Sequence, residues 1–130
     1  MYVRHAYISG LHHYLVIFWD DEVNGWSVGI AALPSKRQAR KFAGGYFDTK
    51  EQVAGTTNLG SRVRISWFLR EIDRAMNSLG HKYGKRDWYA IPVDDRRFRA
   101  YRFILGKRGW TESSRILDGE LTDLMVSYHR

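Results

Sequence analysis

The sequence predicts a single domain of the α/β (α+β) class, built on a mixed sheet that is antiparallel at both ends and parallel at its centre. Three observations predict it. Apolar runs joined by Asp20 to Gly25, whose Asn24-Gly25 pair favours a tight or bulged hairpin, and by Asp118-Gly119 mark a hairpin near each end of the chain, because both dipeptides accept the positive φ that such turns need. Between them, residues 61–79 repeat apolar side chains at the three-and-four spacing of one buried helical face. A helix of that length between the apolar strands 26–33 and 88–93 is the crossover that parallel neighbours require.

At 130 residues the chain can bury one core and not two, so residues 1–130 are read as one domain. Five Trp, eight Tyr and six Phe within a 44% hydrophobic composition exclude disorder. The absence of cysteine excludes disulfides, thiolate metal ligands and a cysteine nucleophile. No apolar run reaches membrane-spanning length and the first residues lack a signal peptide's apolar core, so no membrane contact and a cytoplasmic location are expected. The net charge of +7 draws anions: nucleic acid, phosphate-bearing cofactors or acidic proteins.

In chain order, a short strand is expected within residues 2–8, then strands over 14–19 and 26–33. Pro34 closes the last of these, and Ser35-Lys36-Arg37-Gln38 has capping-box spacing for a short helix that Gly44-Gly45 stops. Its Lys36, Arg37, Arg40 and Lys41, beside Tyr46 and Phe47, form a basic surface suited to phosphates and stacked bases. In the long helix, Ile65, Phe68, Leu69, Ile72, Ala75, Met76 and Leu79 point inward, while Arg62, Arg64, Arg70, Glu71 and Arg74 fall mostly on other faces; Gly80 is the expected stop. Strand 88–93 follows, and Asp94 or Asp95 caps an arginine-rich helix whose Phe98, Tyr101 and Leu105 keep the buried spacing. Gly109 ends that helix, Trp110 opens the next strand, and 114–117 with 121–128 form the closing hairpin.

The run Ala90-Ile91-Pro92-Val93-Asp94, then Arg97, Tyr101, Leu105, Lys107, Gly109 and Trp110, followed by that hairpin, resembles the C-terminal half of the GNAT acyltransferase superfamily. With the long helix, the resemblance covers residues 61–130. In size and layout the chain also looks like the short GNAT-like proteins that some bacteriophages carry. The resemblance implies that acyl-CoA, with acetyl-CoA as the usual form, lies between two central parallel strands, its pyrophosphate on the free amides at the start of the long helix. On this sequence that place is Gly60, Ser61 and Arg62, with Arg64 adding charge. The family's usual loop there, Gln or Arg, two residues, Gly, one residue, then Gly or Ala, is not present.

The implied activity is N-acyl transfer to an unspecified acceptor. Many members set a tyrosine four residues before the helix-ending glycine to protonate the departing thiolate. This chain has Leu105 at that position, and Tyr101, one turn earlier on the same face, is the expected proton donor. Glu22, Asp20 and His13 are the proton acceptors near the first hairpin, with Glu22 taken beside Tyr101 as the catalytic pair. The alternative is a non-catalytic scaffold of the same fold, of phage type, that binds nucleic acid, a host protein or virion subunits, in the host cytoplasm or the virion. A metal site is not expected, because the adjacent His12 and His13 point to opposite faces of a strand.

Overall fold

The elements in order are β1 (Tyr2–Ile8), β2 (Leu11–Asp20), β3 (Gly25–Leu33), α1 (Ile65–Tyr83), β4 (Trp88–Ala90), α2 (Asp95–Gly106), β5 (Thr111–Leu117) and β6 (Glu120–Ser127). The structure is a computed structural model and describes residues 2–33, 37, 65–92 and 95–129. One open sheet of six strands runs in the order β1-β2-β3-β4-β6-β5. Its β3–β4 junction is parallel, with Trp26 opposite Trp88 and Ser27 opposite Tyr89, and the other neighbours are antiparallel. Antiparallel ends, a parallel centre and a crossover containing α1 agree with the sequence pattern.

Local chemistry explains the turns. Ser9-Gly10 and Asp118-Gly119 take φ of 53° and 82°, and of 50° and 80°, the paired positive values whose twist matches that of the flanking strands. Asn24, at φ 55°, ends a longer loop whose closing pair is Asp20 opposite Gly25. Gly25 itself is held by close packing, since a Cβ there would sit 2.5 Å from the Asp87 carbonyl oxygen and 2.7 Å from the Tyr89 ring.

Helix ends and strand lengths depart from the pattern in three places. α1 continues through Gly80 and stops at Gly84, whose φ is 82° and whose N–H bonds to the Gly80 carbonyl. A mid-helix glycine costs only about 1 kcal/mol, and the added turn brings Tyr83 against Trp26. β4 has three residues rather than six, with Ile91 and then Pro92, which lacks an N–H, beyond its end. α2 gives way after Gly106 to a turn in which Gly109 is left-handed and Trp110 N–H bonds to Leu105 C=O, so β5 starts at Thr111.

Both described helices cover one face of the sheet. Leu15, Ile17, Val28, Ile30, Trp88 and Met125 pack there against Phe68, Ile72 and Ala75 of α1 and Tyr101 and Leu105 of α2. On the opposite face Val16 and Ala31 form one small cluster, and Val23, Tyr89, Leu124 and Val126 another. Glu71, expected on an outer face of the long helix, is buried. Its carboxylate meets the Arg74 guanidinium at 2.9 Å and that of Arg4 on β1 at 3.8 Å, which ties α1 to the sheet edge. Among the described residues no helix is long and apolar enough to cross a membrane.

Candidate functional site

Successive residues of a strand turn their backbone groups to opposite edges. Trp26 N–H donates to Asp87 C=O at 3.0 Å, so Trp26, Val28, Ile30 and Ala32 all turn toward the β4 side. Among the described residues the ladder between the two strands nevertheless ends at Ser27 and Tyr89, while β3 runs on to Leu33. At Ile30 a side chain stands where a strand would be: the Tyr101 hydroxyl accepts the Ile30 N–H at 3.5 Å.

Tyr101 reaches that edge because α2 turns Tyr101 and Leu105, with the half-buried Phe98, inward along one stripe, directing the phenol into the core between helix and sheet. Its residual exposure is 6%, so solvent competes weakly for the hydroxyl. α1 runs against β3. Its Tyr83 end packs on Trp26 at the start of that strand, and its Trp67 and Phe68 pack on His13, the partner of Ala32 near the strand's finish. The positive end of the α1 dipole therefore lies at the same end of the sheet as Ile30 and Tyr101.

The residues singled out from sequence are spread out. Gly60, Ser61, Arg62 and Arg64, and the basic Lys36, Arg40 and Lys41, lie outside the described residues; Arg37 is helical and exposed. Tyr101 is at the edge just described. Glu22 is not brought to it: the carboxylate sits in the loop before β3 and accepts the Asp118 N–H at 2.6 Å, some five residues or about 17 Å of strand from Ile30. Asp20 shares that far end and accepts the Glu22 N–H. His13 alone among the three proton acceptors lies near Tyr101's end, buried, with its Nδ1 on the Leu11 carbonyl at 3.1 Å, so that Nδ1 carries the proton. Ile30 was missed, since a backbone donor has no side-chain signature.

Two other titrating pairs stand apart from this edge. His129 binds Asp87 twice, through its N–H at 2.9 Å and its ring Nδ1 at 2.6 Å. Burial raises the Asp87 pKa, but the His129 bonds and charge, with the Tyr89 hydroxyl, outweigh it and hold the carboxyl below its ordinary value. On the face away from the helices, His5 Nε2 and His12 Nδ1 are 3.0 Å apart with their rings stacked. Burial first, and the charge of His12 second, lower the His5 pKa. Among the described residues no three His, Asp or Glu side chains are grouped to hold a metal ion. Compared with family models, curated proteins and solved structures, the chain matches none.

Proposed function

We propose that this protein is a divergent GNAT-like acyltransferase that takes its acyl group from an acyl-CoA and works at the edge where β3 outruns β4. The observation that carries the reading is the pairing of Ile30 N–H with the Tyr101 hydroxyl. A backbone N–H facing a break in a sheet, met by an oxygen that is only an acceptor in that bond, is chemically the place of a thioester carbonyl. The hydroxyl stands in for the carbonyl oxygen, and the group that fits supplies a thioester open to attack by an amine and a thiolate that leaves.

The chain's own part is small. Ile30 N–H polarises the carbonyl and takes the charge that builds on its oxygen as the C–N bond forms. Tyr101, released from the amide, gives its proton to the sulfur as the C–S bond breaks, and the proton lost by the nitrogen balances the one given. His13 is the proton acceptor nearest by position, in place of Glu22. The dipole of α1 favours the pyrophosphate at the same end, and Arg62 and Arg64 come just before that helix in the sequence.

Thermal melting with acetyl-CoA tests the reading. A ligand at ten times its Kd adds about 1.4 kcal/mol to native stability, which raises Tm by about 5 °C for a chain of 130 residues. A Tm that stays flat to millimolar acetyl-CoA removes the enzyme and leaves the scaffold reading. That second reading draws on one observation of its own: Leu105, at the position where the family has its tyrosine, is fully buried.

A further inference from the structure

At the other end of the sheet from Ile30, three aromatic rings form a continuous run. Trp19 of β2 meets Trp26 of β3 edge-on at 5.3 Å, and Trp26 meets Tyr83 of α1 at 5.6 Å. Trp26 is flanked on β4 by its ladder partner, the buried Trp88, at 6.0 Å, while Trp19 and Tyr83 remain 38% and 50% exposed. Large aromatic surfaces left open in a small domain mark a place of contact.

Cations border the run. The Lys82 ammonium stands 5.2 Å from the centre of the Tyr83 ring, and the loop that follows carries Lys85 and Arg86 in succession, all exposed. Arg86 donates to the Lys85 carbonyl at 3.1 Å. The carboxylates near this end each have a hydrogen-bond partner: Asp21 accepts the indole N–H of Trp19 itself and holds that ring in place, Asp20 accepts the Glu22 N–H, Glu22 the Asp118 N–H, and Asp87 both His129 bonds.

We propose that this end binds single-stranded nucleic acid, with bases stacking on Tyr83 and Trp19 and the backbone following Lys82, Lys85 and Arg86. Flat rings beside cations give a sequence-tolerant grip on unpaired bases, because every base offers a π-face and every nucleotide a phosphate. A duplex hides those faces and gains only the charge. The chain's net charge of +7 supplies the long-range attraction. The site lies four residues, about 13 Å, down β3 from Ile30, and its test does not depend on whether acetyl-CoA binds.

The experiment is fluorescence anisotropy of a dye-labelled oligothymidine titrated with the full chain across a salt series, with the matching duplex in parallel. Three phosphate contacts on a single strand predict a slope of log K against log salt of about −2. Tyr83→Ala is expected to weaken binding about tenfold and Tyr83→Phe to restore it, the difference between stacking and mere charge. Lys82→Gln lowers the slope by about 0.7, while Lys107→Gln, whose ammonium covers Phe103 beyond α2, leaves it unchanged. Absence of binding at low salt, duplex bound as tightly as single strand, equal effects of Lys82→Gln and Lys107→Gln, or a Tyr83→Ala variant that binds like the parent would each overturn the proposal.

Discussion

Replacing Tyr101 by Phe keeps the ring in the core and deletes one oxygen, which makes it the sharpest probe of the β3 edge. The Ile30 N–H then loses its hydroxyl partner in a site where the tyrosine is only 6% exposed. Leaving a buried donor unsatisfied costs about 1–3 kcal/mol; at 3.5 Å the bond is at its weak limit, so the low end applies. Unfolding entropy of about 2.1 cal/mol/K per residue over 130 residues converts about 1 kcal/mol into a Tm lower by about 4 °C. Catalysis is expected to suffer far more. Loss of a general acid lowers kcat by about a hundredfold to ten-thousandfold, read as thiol release from acetyl-CoA across a panel of amines. Acetyl-CoA should still raise Tm in the variant, because the amide it needs no longer has a competitor. An unchanged Tm would refute the hydrogen bond, and unchanged thiol release would refute the acid.

Three further outcomes follow from packing and charge. Gly25→Ala places a Cβ 2.5 Å from the Asp87 carbonyl and should destabilise by about 1–3 kcal/mol, seen in urea melts as a lower midpoint at constant slope. The folded pKa of Asp87 is below its ordinary 3.8, so the stability it adds is present above that value and lost as pH falls through the folded one. The Tm gap between the parent and His129→Ala should therefore close in strong acid, and a gap constant with pH would sink this account. His5 is depressed below 6.5, so protonating it in the fold is disfavoured and stability should fall as pH drops below that value. His12→Gln removes the neighbouring imidazole charge and should make that fall shallower; melts from pH 7 to pH 5 decide it.

What could be read from the sequence was local. Asp118-Gly119 gives a hairpin wherever it sits between apolar runs, and the spacing from Phe68 to Leu79 points one face of α1 inward whatever it packs on. The parallel centre was legible as well, because a helix between two strands leaves few other routes. Of the candidate site, Tyr101 was legible by its helical spacing, whereas Gly60, Ser61, Arg62 and Arg64, expected at the pyrophosphate, lie outside the described residues.

Only the tertiary structure decided the rest, and the reason is separation along the chain. Ile30 and Tyr101 are 71 residues apart, and a backbone N–H leaves no trace in the side-chain pattern until a distant hydroxyl meets it. Glu71 reads as a surface charge until packing of α1 on the sheet buries it beside the half-exposed Arg4 of the edge strand. Glu22 looks available until the far hairpin turns the Asp118 N–H onto its carboxylate. Propensity and period set each element by itself, but which unpaired donor, carboxylate or ring is left facing a neighbour depends on how the elements pack.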